Sequence, residues 1–192
     1  FNKLDSVGKP QCGVEVSVDP KTEEVLMRGP FVMDGYYKNE KMTKETLIDG
    51  WLRTGDKGYL DKEDYLYITG RVADSFKTSK GKFIEPLTLE KDFGSIKELE
   101  EVCITGLGLP QPIALAQLSE LGKTLPKEEL ISLLEEKLLK INSNLQNYKK
   151  ISTLVLAKEQ WTEQNKILGP TLKIKRGNLE KMYRKKYKHW QE

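Results

Sequence analysis

Three short stretches of the sequence carry side chains that could bind a small polar ligand. In the first, Asp56 stands in a Thr-Gly-Asp turn, where glycine permits a tight backbone and the carboxylate can point out of a strand end. One carboxylate accepts hydrogen bonds from two adjacent hydroxyls, so a ribose 2′,3′-diol is a natural ligand. Arg71, at the other end of a predicted hairpin, supplies donors that could reach the same sugar or a phosphate.

The second stretch is the polar loop of residues 78–82, which places Lys80 and Lys82 on either side of Gly81. Because glycine reaches positive φ without steric cost, this loop could approach a phosphate or lie closely along a thin ligand. It does not fit a Walker A phosphate loop, since the spacing differs and no helix is predicted to follow.

The third stretch is GPTLKIKR, residues 169–176. In an extended segment Lys173 and Lys175 share one face, and Ile174 between them anchors the opposite face. A rigidly delivered ammonium could neutralise charge that develops on a carboxylate or phosphate oxygen. Lys173 is therefore a candidate catalytic residue.

Each stretch also has a purely structural interpretation, and taken singly the three leave both interpretations open. Asp56 and Arg71 fit a turn-capping carboxylate and a surface arginine, residues 78–82 a solvated turn, and residues 169–176 a basic flank before a basic helix. His189 is the only histidine and has no serine, cysteine or aspartate arranged about it as in a catalytic triad. No cysteine and histidine set has zinc spacing, so we expect no metal site.

Composition places the chain among soluble globular proteins. Of its 192 residues, 38% are hydrophobic and 32% are charged, and a net charge of +3 is too small to argue for nucleic acid. No apolar run approaches the ~20 residues that span a bilayer. Cys12 and Cys103 lie far apart, and free thiols fit a reducing, cytoplasmic compartment. Because the sequence begins without Met or a signal peptide, we take it to be a cytoplasmic protein or a piece of a longer one.

Periodicity predicts an α+β fold that begins with β structure. Valines alternate with polar neighbours over residues 14–18, and residues 25–27 repeat the pattern after a turn. One or two helical turns follow at residues 39–49 and stop at Gly50, before a hairpin over residues 51–68. Beyond residue 70, helices are predicted at 96–101, 126–145 and 178–190, and strands at 102–104, 113–118 and 151–156. We therefore expect two domains, residues 1–70 and 71–192.

In their order along the chain, the motifs resemble the C-terminal part of the adenylate-forming superfamily of AMP-binding enzymes. The resemblance rests on VGKP, RGPFVMDGYY, GWLRTGDKGYLDKEDYLYITGR, TSKGKFIEP and PTLKIKR. The forms of the last two motifs are most similar to long-chain fatty acyl-CoA synthetases. Members of the superfamily use ATP and Mg²⁺ to convert a carboxylate to an acyl-adenylate, and many then pass the acyl group to coenzyme A.

The resemblance implies a small β subdomain, the last of a larger lobe, followed by a mobile α+β lid with a three-stranded sheet flanked by helices. It implies that Asp56 holds the ribose hydroxyls and that Arg71 contacts the nucleotide. Ala73 and Asp74 would form the hinge of the lid, within residues 71–74. The pivot stays open between the two, since the family often has Asp or Lys where this chain has Ala73.

The same resemblance implies that Lys173 bridges the carboxylate oxygen and the α-phosphate during adenylation. After the lid rotates, Gly81 would line the channel for the pantetheine of CoA, with Lys80 and Lys82 nearby. The expected ligands are therefore ATP or AMP with Mg²⁺, a fatty acid and coenzyme A, with no nucleic acid.

The family's glycine-rich phosphate loop, its Thr-Glu motif and its acyl pocket belong upstream of residue 1, so we expect no turnover from these residues alone.

Two alternatives stay open at this point. The acyl acceptor could be a carrier protein rather than free CoA, as in acyl-AMP ligases and adenylation domains. Alternatively, the chain could be a non-catalytic binding module whose basic segment 178–190 contacts an acidic partner or the inner face of the membrane.

Overall fold

Two units make up the structure, a computed structural model that describes residues 3–190. The first unit runs to Asp74 and the second begins at Ser75. Two expectations stay predictions: that the first unit is the last subdomain of a larger lobe, and that the second unit is a mobile lid.

The first unit is built on an antiparallel five-stranded sheet. Its strands follow the order β1-β2-β4-β3, and β5 pairs with the far end of β4. The elements are β1 (Glu15–Val18), β2 (Glu24–Arg28), α1 (Glu40–Thr46), β3 (Leu47–Ile48), β4 (Trp51–Leu60) and β5 (Leu66–Arg71). The alternating valines and the hairpin were predicted correctly, because a sheet with one buried face imposes a period of two.

The prediction that Gly50 stops a helix is wrong. Helix α1 ends at Thr46, and Asp49 with Gly50 forms the two-residue turn between β3 and β4. Both residues have positive φ, 51° and 78°, as the tightest hairpin turns require. An Asp-Gly pair adopts this geometry readily, and its preference for hairpins here outweighs the role of glycine as a helix terminator.

The second unit has a three-stranded sheet with helices on both sides, and the predicted α+β class is thus confirmed. Strand order is β10-β9-β8, with β8 antiparallel and β10 parallel to the central β9. The elements are β6 (Phe76–Lys77), β7 (Phe83–Ile84), α2 (Pro86–Phe93), β8 (Leu99–Thr105), β9 (Ile113–Leu118), α3 (Glu120–Thr124), α4 (Lys127–Ser143), β10 (Leu154–Leu156) and α5 (Arg176–Tyr183).

Successive residues of β8 and β9 point to opposite faces of this sheet and support two separate cores. On one face, which we call the α4 face, the cluster contains Ile104, Ala114, Leu89 and Leu134 together with the hairpin residues Phe76 and Ile84. On the other, the α5 face, the cluster contains Cys103, Ile113, Leu115, Trp161, Ile167, Leu179 and Tyr183. The sheet therefore separates the two cores and contributes side chains to both of them.

The predicted helix over residues 96–101 is wrong. The helix lies earlier, at Pro86–Phe93, where proline occupies the first turn and Leu89 and Phe93 are buried at a spacing of four. Strand β8 already begins at Leu99 and runs along the edge of the sheet. Charged residues are common on edge strands, where they discourage pairing with other chains, and here they obscured the strand pattern.

The C-terminal basic segment is not the single helix that we predicted for residues 178–190. Helix α5 ends at Tyr183, and two 3₁₀ segments follow, Arg184–Lys186 and Lys188–Trp190. The Trp190 ring packs 5.8 Å from the ring of Tyr187. The tighter 3₁₀ winding aligns side chains three residues apart, which suits this contact. Within residues 3–190, no helix combines the length and the apolar character that a membrane span requires.

Candidate functional site

The prediction that Thr54-Gly55-Asp56 forms a turn at a strand end is wrong, because the segment lies inside strand β4, where Gly55 at a φ of +73° permits an irregularity without ending the strand. A buried carboxylate on β2 organises this segment. Glu24 is 4% exposed and accepts hydrogen bonds from the backbone nitrogen of Gly55 at 3.0 Å and from Arg53 Nε at 2.9 Å. Beside it, the Thr54 hydroxyl donates to the carbonyl of Val25 at 2.7 Å and accepts from the Asp56 nitrogen at 3.1 Å. A buried charge is tolerated only when it is paired in this way. The backbone that carries Asp56 is thereby fixed from both sides.

Asp56 and Arg71 are brought together by the β4–β5 ladder. The two residues are partners in register, and Arg71 Nε lies 2.9 Å from Asp56 Oδ1. The arginine side chain is 63% exposed and the aspartate side chain 34% exposed. An ion pair this open contributes little to stability. It does present an acceptor and a donor side by side to solvent, the arrangement that a diol with a neighbouring phosphate requires.

Gly55 links this part of β4 to the segment that follows β5. Its φ is +73°, and its carbonyl accepts a hydrogen bond from the Val72 nitrogen at 2.9 Å. The Asp74 nitrogen donates to the Arg71 carbonyl at 3.2 Å, and the first unit ends at Asp74. Ala73 and Asp74 therefore lie in a turn next to the boundary between the units. Their role as a hinge stays a prediction.

The far end of the same hairpin carries another aspartate with a structural role. Asp61 accepts hydrogen bonds from Lys3 Nζ at 2.9 Å and from the backbone nitrogens of Glu63 and Tyr65 at 2.8 and 3.0 Å. The hydrogen bond from Lys3, together with these backbone donors, lowers the pKa of Asp61 to about 2. Asp61 is thus a carboxylate in the same hairpin whose hydrogen-bonding capacity is already taken.

The loop that carries Gly81 is an ordered hairpin turn between β6 and β7. The Thr78 nitrogen donates to the Lys82 carbonyl at 2.9 Å, and the Gly81 nitrogen donates to the Thr78 carbonyl at 3.0 Å. Gly81 has a φ of +77° and is exposed. A side chain added there would meet only Lys77 Cε, at 3.7 Å. The glycine is therefore needed for backbone shape and leaves open space in front of it.

The loop that carries Lys173 has the same construction. The Gly169 nitrogen donates to the Lys173 carbonyl at 2.9 Å, and the Leu172 nitrogen donates to the Gly169 carbonyl at 2.8 Å. In both loops a residue with positive φ precedes a lysine, but here that residue is Leu172, at 59°. A side chain other than glycine in this conformation costs roughly 1–2 kcal/mol. The two loops are thus equivalent turns, each ending on a lysine.

The base of the Lys173 loop is fixed while its lysine is exposed. Leu168 pairs with Ile174 as an isolated antiparallel bridge, and the Lys175 nitrogen donates to the Ile167 carbonyl at 2.7 Å. Ile167 and Ile174 pack in the cluster on the α5 face. In the part of the chain that the structure describes, Lys173 Nζ makes no ion pair or hydrogen bond within the usual distances. Its ammonium is therefore available at the surface.

The two lysine-bearing loops are anchored on opposite faces of one sheet. The Gly81 hairpin packs through Phe76 and Ile84 into the α4 face, whereas the Lys173 loop packs through Ile167 and Ile174 into the α5 face. The structure therefore pairs Asp56 with Arg71 but does not gather the remaining predicted residues into one pocket. Lys80 and Lys82 both lie exposed beside Gly81.

The described residues offer no ready metal site. No group of three or more His, Cys, Asp or Glu side chains within residues 3–190 is placed to hold a metal ion. The donor set does not suit a resident Mg²⁺, since that ion needs several oxygen ligands in octahedral geometry.

Comparison with known proteins places the chain in a family. A family model described as AMP-binding enzyme C-terminal domain matches residues 73–189, which is more than half of the chain. Fatty acyl-CoA synthetase B of Dictyostelium discoideum is 28% identical over 95% of this chain and 30% of its own length. A 2-succinylbenzoate–CoA ligase of Listeria innocua is 40% identical over 55% of this chain and 22% of its own length.

Solved structures agree with the sequence comparison. The O-succinylbenzoate coenzyme A synthetase of Bacillus subtilis, in complex with ATP and a magnesium ion, superposes with a TM-score of 0.71 at 26% identity. The match covers 93% of this chain and 36% of that structure. The chain thus spans about a third or less of the length of these relatives.

Proposed function

Because the chain belongs to the family of AMP-binding enzyme C-terminal domains, we propose that it is part of an ATP-dependent ligase that joins a fatty acid to the thiol of coenzyme A. The observation that carries this proposal is the anchoring of the Gly81 and Lys173 loops on opposite faces of one sheet. Two reactions in sequence can each use one face.

In the first reaction a carboxylate oxygen attacks the α-phosphorus of ATP and pyrophosphate leaves. Lys173 neutralises the negative charge that accumulates between the carboxylate and the α-phosphate, an electrostatic role that suits an exposed ammonium on a fixed loop. Asp56 accepts hydrogen bonds from the ribose hydroxyls, and Arg71 donates to the nucleotide. The product is an acyl-adenylate that stays bound.

In the second reaction the thiol of CoA attacks the acyl carbon and AMP leaves with the electron pair of the broken bond. The loop of Gly81 faces the pantetheine arm, with Lys80 and Lys82 near it. The residues at 73 and 74 act as the pivot that exchanges the two faces. Closure and reopening of a domain between chemical steps is a common way to protect a reactive intermediate from water.

The acyl substrate is proposed from the relatives' names together with the sequence motifs. The relatives include both a fatty acyl-CoA synthetase and a 2-succinylbenzoate–CoA ligase. The TSKGKFIEP and PTLKIKR motifs favour the fatty acid.

To test the acyl substrate, the full-length protein is supplied with ATP and a panel of fatty acids and 2-succinylbenzoate, and the release of pyrophosphate and AMP is measured. We expect pyrophosphate release to depend on a long-chain acid and AMP release to depend on free CoA.

Two outcomes would revise this proposal. Release of ADP and phosphate in place of AMP and pyrophosphate would exclude adenylation. Adenylation without consumption of the intermediate by free CoA would favour the alternative in which a carrier protein accepts the acyl group.

Asp56→Asn should raise the KM for ATP roughly 10- to 100-fold, because a hydrogen bond to a charged group contributes about 1.5–3 kcal/mol. The measurement is the initial rate of pyrophosphate release against ATP concentration in the full-length protein. Asp61→Asn is the matched control, since it removes a carboxylate of the same hairpin that Lys3 already engages. Equal effects of the two substitutions on the KM for ATP would argue against a ribose site at Asp56.

A further inference from the structure

Arg176, three residues after Lys173, makes contacts that the proposed function does not use. Its Nη2 lies 2.6 and 2.5 Å from the two carboxylate oxygens of Glu90 on α2. Its Nη1 donates to the carbonyl of Ile104 at 2.9 Å and lies 3.1 Å from the Cys103 sulfur. The two charged side chains are only 18% and 14% exposed. This is the least exposed ion pair among those described for residues 3–190.

The Glu90–Arg176 pair forms hydrogen bonds with backbone groups at the open edge of the sheet. Among residues 3–190, no strand pairs with the outer side of β8, so the backbone groups on that side need other partners. The Ile104 nitrogen donates to Glu90 Oε1 at 2.7 Å, while the Ile104 carbonyl accepts from Arg176. One carboxylate and one guanidinium together satisfy the two groups that a neighbouring strand would have bound.

The pair also limits where Lys173 can be. Arg176 is the first residue of α5, and a chain of three residues reaches at most about 10 Å. Between Lys173 and Arg176, the Lys175 nitrogen donates to the carbonyl of Ile167, on the N-terminal side of the loop. The lysine is thus carried on a turn whose C-terminal end is fixed to the edge of the sheet by Arg176.

We propose that Glu90 and Arg176 are positioning residues for Lys173, an inference that rests on the proposed function. Desolvation of two charges offsets much of their mutual attraction, so stability alone is a weak reason for such a pair. A fixed orientation is a stronger reason, because one terminal nitrogen of the planar guanidinium, Nη2, contacts the carboxylate while the other, Nη1, holds the Ile104 carbonyl. The pair aligns α2, β8 and the start of α5 so that the lysine loop has one position.

The test measures both half-reactions in the full-length protein. Arg176→Ala should lower kcat for acyl-adenylate formation roughly 10- to 100-fold, the loss expected when a catalytic group is misplaced by about 1 Å. The KM for ATP should change little, since the Asp56–Arg71 pair of the first unit is intact. Transfer to CoA from supplied acyl-adenylate should stay within about twofold, because that step does not use Lys173.

Two further variants separate geometry from charge. Arg176→Lys keeps the positive charge but loses the planar fork, so an intermediate loss of adenylation is expected. Glu90→Ala combined with Arg176→Ala should be no worse than the more damaging single substitution, because residues that act as one unit are not additive. Full activity of Arg176→Lys, or additive losses in the double variant, would overturn the proposed geometry.

Leu134→Ala is the control for a merely structural effect. Leu134 is 5% exposed on the α4 face, so its truncation destabilises the same unit without touching the Lys173 loop. If Arg176→Ala and Leu134→Ala each lose activity in both half-reactions in proportion to the fall in their thermal midpoints, the positioning role is wrong. If Lys173→Ala abolishes adenylation while Arg176→Ala leaves it intact, this inference fails and the proposed function stands. If the wild-type protein forms no acyl-adenylate at all, the proposed function itself fails.

Discussion

Lys173→Ala in the full-length protein is expected to slow acyl-adenylate formation by about 100- to 1,000-fold while leaving CoA transfer from supplied acyl-adenylate within about twofold of wild type. The magnitude is that of removing one preorganised group that stabilises charge in the transition state. Under the proposed function, the selectivity follows from the anchoring of the Lys173 loop on the α5 face through Ile167 and Ile174. Single-turnover release of pyrophosphate, followed by release of AMP, measures the two steps separately.

Lys175→Ala provides the charge-matched control. Lys175 is an exposed lysine two residues away, and its removal changes net charge equally. We expect near-normal adenylation from it and a severe loss from Lys173→Arg, whose longer head group cannot occupy the same point. Similar losses from Lys173→Ala and Lys175→Ala would indicate a diffuse electrostatic effect rather than a catalytic lysine.

Gly81→Leu should produce the opposite pattern, with CoA transfer reduced about 100-fold and adenylation nearly unchanged. A Cβ added at Gly81 has room in this structure, where only Lys77 Cε lies near it, although the φ of +77° strains any side chain. Its harm would come from blocking the approach of the pantetheine arm, and misplacement of a reacting group by about 1 Å costs this much. The measurement is the rate of acyl-CoA formation from preformed acyl-adenylate.

Gly13→Leu separates obstruction from backbone strain. Gly13 has a φ of +81°, close to the +77° of Gly81, and an added side-chain carbon meets nothing within 4 Å. Each substitution therefore costs a similar 1–2 kcal/mol of backbone energy. Equal loss of CoA transfer in both variants would mean that strain, and not the channel, explains the Gly81 result.

The sequence was most informative where local pattern and burial coincide. Alternation located β1 and β2, and the spacing of leucines located α4, because each buries one side against a core. Charge misled the prediction at residues 96–101. There the chain enters an edge strand. The charged side chains within residues 97–101 do not show whether the backbone will pair with a neighbouring strand, or with which one.

The site was only partly predictable for a related reason. Asp56, Arg71, Gly81 and Lys173 stand in short motifs that can be recognised from residue type and spacing. Glu24 and Glu90 do not, because each acts through a partner distant in sequence: Glu24 binds Gly55, 31 residues on, and Glu90 binds Arg176, 86 residues on. Arg176 itself was included in a basic flank. Only the tertiary structure shows that its charge is directed inward.

The opposed anchoring of the two lysine-bearing turns has a consequence for the order of events. Under the proposed function, a rotation of the second unit that brings one of these turns to the active centre would carry the turn anchored on the other face away from it. Under the proposed function, CoA cannot compete for the active centre while the adenylate is forming, and ATP hydrolysis cannot be promoted while the thioester forms. Mutual exclusion would then be a property of the protein's mechanics, with no separate signal needed to time the two steps.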